Sequence, residues 1–220
     1  MEFQPWPSIS RLNKEAIYTE KIDGTNAAVV IERIAPYGGP LADWELELLG
    51  WSGKEDVVYT ETGVYLVAAQ SRKRFITPGD DNFAFAKWVF DNSRNLIEVL
   101  GEGRHFGEWW GSGIQGGYGL SNGERRFSLF NVKRWEDTLT AYKGHDLIPQ
   151  LYLVPVLERT VFSTEIAKSW VEHLREYGSV ASPDFMKPEG VVVFHTASGT
   201  PYKTFLENDL IHKSLQEGNK

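Results

Sequence analysis

The chain has 220 residues, a formal net charge of −7 and no cysteine. That length suits one large domain or two small ones with a real core, and the lack of thiols rules out a disulfide framework or a thiolate metal site. No apolar run approaches the roughly 18 residues that span a bilayer, so a membrane protein of the helical kind is not expected.

The opening, to about Asn13, holds two prolines and Trp6 and is expected to be an extended arm. Residues 15 to 34 suggest two strands around a turn at Asp23-Gly24, with Lys21 at the end of the first. Residues 35 to 61 are rich in Pro, Gly and acids and suggest irregular hairpins. Val64 to Ala69 is a short apolar strand that runs into Gln70-Ser71-Arg72-Lys73-Arg74. Asp80-Asp81-Asn82 offers a helix N-cap, and apolar positions 85, 86, 89, 90, 96, 97 and 100 predict one helix closed by Gly101.

His105 to Trp110 forms the next strand, followed by a glycine-rich loop. Phe127 to Val132 and Leu151 to Val156 are two further strands by alternation and β-propensity. Ser163 caps a helix with apolar positions 167, 170, 171 and 174, ending at Gly178. Val191 to Phe194 is a buried strand with Pro201 to Phe205 as its neighbour, and a short helix is expected at the end. Many strands with a few inserted helices imply an α+β fold, a single domain of mostly antiparallel sheets with flanking helices.

The five histidines are scattered, and none has the spacing of a helical metal site. Gly111-Ser112-Gly113-Ile114-Gln115-Gly116 spells a dinucleotide-binding fingerprint, but a strand follows it and no helix starts on it, so that reading is rejected. The net acidity argues against general coating of nucleic acid, while Arg72-Lys73-Arg74, Arg125-Arg126 and Lys133-Arg134 are each either a solvated edge or part of a basic groove. A start without a basic, apolar leader fits a cytoplasmic location.

Lysine is usually solvated. Between two apolar runs and beside a tight turn, Lys21 is a candidate for a partly buried amine able to act as a nucleophile; taken alone, the simpler reading is a lysine beside a hairpin turn. Glu108 lies inside an aromatic strand, where an acid needs a partner. Glu189 opens the buried strand at Gly190 and can offer oxygen to a hard cation. Lys203 is flanked by aromatics in a short strand, where a charge also serves to guard an edge. Together these supply what nucleotidyl transfer requires: an amine nucleophile, a carboxylate for a divalent ion, a second cation at the phosphate and an aromatic face for the base.

At this point the chain resembles the covalent nucleotidyltransferase superfamily, most closely the ATP-dependent RNA ligases of the T4 RNA ligase 2 type. Lys21-Ile22-Asp23-Gly24 resembles the first motif, whose lysine takes AMP as a phosphoramide. Phe106-Gly107-Glu108-Trp109-Trp110-Gly111 resembles the third, with a glutamate on the ribose. Phe127 to Val132 resembles the next, which makes Phe130 the aromatic residue on adenine. Glu189 to Val193 resembles the fourth, with a metal-associated glutamate, and Tyr202-Lys203 the fifth, with a lysine on the AMP phosphate. Ser71-Arg72 resembles the Ser-Arg element that serves the phosphate or the RNA end.

The resemblance implies that Lys21, Glu189 and Lys203 are catalytic, and that Glu20, Lys21, Asp23, Gly24, Arg72, Glu108, Phe130 and Lys203 bind the nucleotide, with Glu189 at the metal. It implies ATP and Mg2+ (or Mn2+) as cofactors and RNA with 3′-hydroxyl and 5′-phosphate ends as partner, handled by a monomer. Two departures stand out. Phe205 occupies the place of a second lysine in the fifth motif, and the chain ends at Lys220, leaving little room for the C-terminal domain of many relatives. The expectation is a catalytic-domain-only ligase. A DNA or mixed-nick ligase, a guanylyltransferase and a non-catalytic nucleotide- or end-binding module are the alternatives.

Overall fold

The computed structural model describes residues 2–36, 39–81, 83–141 and 147–207. The chain forms two compact units: Asp23–Val154, and a second assembled from its two ends, Met1–Ile22 with Pro155–Lys220. Each has its own sheet and its own core.

The end-built unit carries a four-stranded antiparallel sheet of β1 (Glu15–Lys21), β9 (Val156–Val161), β10 (Gly190–His195) and β11 (Thr200–Phe205), in the order β11-β10-β1-β9. Alternation along the strands puts Ala16, Tyr18, Val191 and Val193 on one face, where they pack on Ala167, Val171 and Leu174 of helix α5 (Thr164–Tyr177). Ser163 caps that helix through its side chain, which accepts from the N–H groups of Glu165 and Ile166, as its sequence predicts. Buried Tyr18 secures the junction: its hydroxyl accepts from Ser163 N–H at 2.8 Å.

The 23–154 unit is a seven-stranded sheet with β2 (Thr25–Ala35) near its middle. Beside it run β3 (Asp56–Thr60), β4 (Gly63–Ser71), β5 (Phe75–Ile76), β6 (Gly103–Gly111), β7 (Arg125–Leu129) and β8 (Leu151–Leu153). All pairings are antiparallel except β7 with β8. One face buries Ala27, Val29, Val67, Trp109, Phe127 and Leu151 against helices α2 (Phe85–Asp91) and α3 (Ser93–Leu100). Phe85, Trp88, Trp109 and Phe127 meet there with centroids 5.1 to 5.6 Å apart, an arrangement that adds aromatic contact to a large buried area.

The α+β class holds, while several local expectations change. β1 and β2 are not a hairpin: the strands either side of Asp23-Gly24 lie in different sheets. Residues 43–48 form a helix, α1 (Asp43–Leu48), where irregular hairpins were expected; Glu45 supports it by accepting from Ala42 N–H at 2.8 Å. The helix expected up to Gly101 is two, broken at Asn92, whose side-chain amide donates to Trp88 O. Asp81 serves the start of α2, accepting from the N–H groups of Phe83 and Ala86; Asn82 lies outside the described residues.

The strand from Phe127 stops at Leu129. Asn131 then accepts from Arg134 N–H and turns the chain into helix α4 (Val132–Ala141), which alternation had concealed. Pro155 divides the strand expected over 151–156 into β8 and β9, one in each sheet. The final helix expected from the sequence lies outside the described residues.

Candidate active site

In the end-built unit, three candidate side chains come together. Lys21 closes β1 and Glu189 immediately precedes β10, and Lys21 pairs with Gly190 in the ladder. Lys21 Nζ donates to Glu189 Oε2 at 2.5 Å, with 21% and 16% of the two side chains exposed. Half-withdrawn from water, such a pair is held more firmly than one on an open surface. Phe205 of β11 pairs with Gly190 from the other side, so Lys21, Gly190 and Phe205 form one rung across three strands. Lys203, two residues before Phe205, is exposed on the same face. Its ammonium lies 5.1 Å from the Phe205 ring centroid, and that of Lys21 lies 5.6 Å away.

Glu20 follows the opposite course. Its side chain leaves the other face of β1 and is 1% exposed. The carboxylate accepts from Ser179 Oγ at 2.5 Å and from the N–H groups of Val180 and Ala181 at 2.8 and 2.9 Å. This builds the loop between α5 and β10. No sequence signal joins Glu20 to Ser179, because the bond spans the whole inserted unit.

In the 23–154 unit, Gly24 and Glu108 come together. A Cβ on Gly24 would lie 2.6 Å from Trp109 O, 2.7 Å from Trp110 Cβ and 3.0 Å from Glu108 Cγ, so only glycine lets the turn approach β6 so closely. Asp23, beside it, is half-buried. Glu108 is half-buried and stands opposite Asn26 on one side and Ser128 on the other. It shares its face with Phe106, 44% exposed, and with Trp110, which is 1% exposed and donates through Nε1 to Ser128 Oγ at 2.9 Å.

Phe130 is 40% exposed just beyond β7, its N–H bound to Phe106 O at 3.0 Å. Arg72 is exposed in the tight turn that Ser71 closes by bonding Arg74 O through both its N–H and its hydroxyl. Ser71 pairs with Ala27, so Arg72 follows at the level of Asn26 and Glu108.

The candidate set therefore divides: Glu20, Lys21, Glu189 and Lys203 in one unit, and Asp23, Gly24, Arg72, Glu108 and Phe130 in the other. Arg125-Arg126 is not a solvated edge. Arg125 binds the carbonyls of Ser112 and Phe83 at 2.9 and 3.0 Å, and Arg126 lies over Trp110 and Tyr152 at 5.5 and 4.8 Å while paired with Glu124. Among the described residues, no group of three or more His, Cys, Asp or Glu is arranged to hold a metal, and no helix is long and apolar enough to cross a membrane.

A family model described as RNA ligase matches residues 14–204. Solved structures of the Naegleria gruberi RNA ligase share the fold. The enzyme with PPi has a TM-score of 0.53 at 14% identity, covering 94% of this chain and 52% of that one. A mutant with ATP and Mn gives 0.54 and 14%, covering 89% and 51%, and one with AMP and Mn gives 0.53 and 14%, covering 88% and 50%. The chain thus spans about half the length of these structures. No curated protein matches it. The architecture is that of a nucleotidyltransferase-type protein, and the chain belongs to the RNA ligase family.

Proposed function

We propose that this chain is an ATP-dependent RNA ligase that joins 3′-hydroxyl and 5′-phosphate ends through a lysyl-AMP intermediate, residues 1–220 acting as one catalytic domain and as a monomer. The observation that carries the proposal is the Lys21–Glu189 pair at 2.5 Å with Lys203 on the same sheet face, in a chain of the RNA ligase family.

Lys21 Nζ attacks the α-phosphorus of ATP. An N–P bond forms, the bond from that phosphorus to the bridging oxygen breaks, pyrophosphate leaves with the electron pair, and the amine proton passes to solvent. Attack needs the neutral amine, so the ion pair with Glu189 opens first. An oxygen of the RNA 5′-phosphate then attacks the AMP phosphorus; a new P–O bond forms, the N–P bond breaks, and Lys21 leaves as the amine, taking a proton from solvent. Finally a 3′-hydroxyl attacks the activated 5′-phosphorus, expelling AMP and sealing the strand.

Lys203 offsets charge on the AMP phosphate, Glu108 holds the ribose, and Phe130 stacks on adenine with the exposed part of its ring. Asp23 and Gly24 shape the approach to the nucleotide, and Arg72 serves the phosphate or the RNA end. Glu20 contributes indirectly, by building the 179–181 loop behind β1. Mg2+ or Mn2+ fits the donor set as an ion shared with the substrate: Glu189 offers hard carboxylate oxygen beside the reacting amine, and the ion supplies positive charge to the phosphates.

Incubation with α-labelled ATP and magnesium is expected to label the protein covalently, and Lys21→Ala to abolish the label. Label on the Lys21→Ala protein would overturn the assignment. Labelling by GTP alone points to a guanylyltransferase, and ATP binding without label to a non-catalytic module. Sealing of DNA 3′-hydroxyl ends as readily as RNA ends makes the protein a general polynucleotide ligase.

A further inference from the structure

We propose that Phe205 is a positioning residue that gathers the Lys21 and Lys203 ammonium groups at its ring. Both ammoniums fall within the roughly 6 Å over which an aromatic quadrupole attracts a cation. The backbone explains how one ring reaches two lysines. Lys203 is two residues away on the same strand, and therefore on the same face. Lys21 is two strands away, and the residue between is Gly190. With no side chain there, the backbone of β11 approaches β10 closely at the rung that joins Lys21 to Phe205. A Cβ at Gly190 would run into Thr204 O and lie 2.9 Å from Phe205 Cα, displacing the strand that carries the ring.

The chemistry suits a site for polyphosphate. Lys21 already meets the Glu189 carboxylate, and the Phe205 ring lies within cation–π range of both ammoniums. A further carboxylate would hold them but repel the triphosphate, and a third lysine would repel them. A phenyl ring attracts both cations and bears no net charge. Lys203 thus keeps its positive charge available to a phosphate, while Lys21 stays beside the ring until it loses the proton that attack requires. This kinetic consequence rests on the nucleotidyl-transfer reading; the geometry does not.

The test uses the full chain labelled with 13C-lysine, with Phe205→Leu, Phe205→Tyr and, should the leucine variant fold poorly, Phe205→Met. Ring currents are expected to move the ε-methylene signals of Lys21 and Lys203 upfield, each assigned by its Lys→Arg variant. Both shifts should vanish without the ring and persist with tyrosine. In parallel, the maximal rate of lysyl-AMP formation should fall about threefold in Phe205→Leu, the size expected of the one ring–cation contact that persists at Lys203 while Lys21 is neutral, with the ATP half-saturation point nearly unmoved. Phe205→Tyr should restore the rate.

Unshifted lysine signals in the parent protein, or equal rate losses for Leu and Tyr, would overturn the proposal. If no form of the protein takes up AMP, the ligase reading fails while the lysine signals still decide the role of Phe205.

Discussion

Glu20 and Lys21 are neighbours on one strand and leave it by opposite faces, so their charges do unlike work. Lys21 meets Glu189 in partly wet surroundings, while the Glu20 carboxylate is buried and receives three donors from the 179–181 loop. Removing it strands those donors, so Glu20→Ala is expected to cost about 1–3 kcal/mol in urea denaturation. Glu20→Gln, which keeps one acceptor, should cost less. Glu189→Gln is the contrasting change: stability nearly kept, metal-dependent label uptake lost.

His105 gives the pH prediction. Burial, with a smaller contribution from the charge of Arg134, pushes its imidazole below the ordinary value, against a hydrogen bond to Gly101 O that opposes the shift. Among the described residues its Nδ1 has no hydrogen-bond partner. Above pH of about 6.5 both folded and unfolded chains hold it neutral, and it adds no slope. Below that, the unfolded chain takes the proton first, so stability falls until the folded group also titrates. His105→Gln should flatten urea-denaturation stability measured between pH 7.5 and 5; an unchanged slope would refute this.

At the scale of the element, two glycines decide how closely strands approach. Gly24→Ala should destabilise by about 1–3 kcal/mol, since the new methyl meets backbone and Cβ atoms of β6 that have no freedom to swing aside. Gly190→Ala should do the same to β11 and also slow lysyl-AMP formation beyond what its loss of melting temperature explains. Helix α5 offers a milder control: Ser163→Ala removes a cap worth about 1 kcal/mol and should leave the label-uptake rate of the folded protein intact.

Helix α5 was legible because its cap, apolar spacing and terminal glycine agree, and β10 and β11 because short apolar runs with a turn between them pair locally. Helix α4 was not, since Phe127 to Val132 alternates well enough to pass for one strand and only the Asn131 turn, seen in three dimensions, ends it. The same distinction holds for the site. Lys21, Glu108, Glu189 and Lys203 stand out as charges set in apolar or aromatic runs. The Glu20 anchor and the ring–lysine contacts depend on pairings across strands, which spacing does not encode.

For the whole molecule, the order of the chain matters more than its composition. Residues 23–154 are continuous and hold their own aromatic core, so expressed alone they are expected to show a cooperative urea transition by tryptophan fluorescence. A non-cooperative drift would contradict that. The other unit has no such independence, because β1 pairs with β9 and β10, both beyond residue 155. Closing a loop of that length is slow relative to local contacts, so its sheet should form after the other in refolding experiments.

The β1 pairings also have a consequence for quality control. During synthesis Lys21 emerges before Glu189 and Phe205, the residues that reach it from the start of β10 and from β11. A polypeptide released prematurely, anywhere before Glu189, carries Lys21 without the carboxylate that meets it. Such truncated chains are expected to take up no label from α-labelled ATP, which ties any activity of Lys21 to completion of the sheet that holds it.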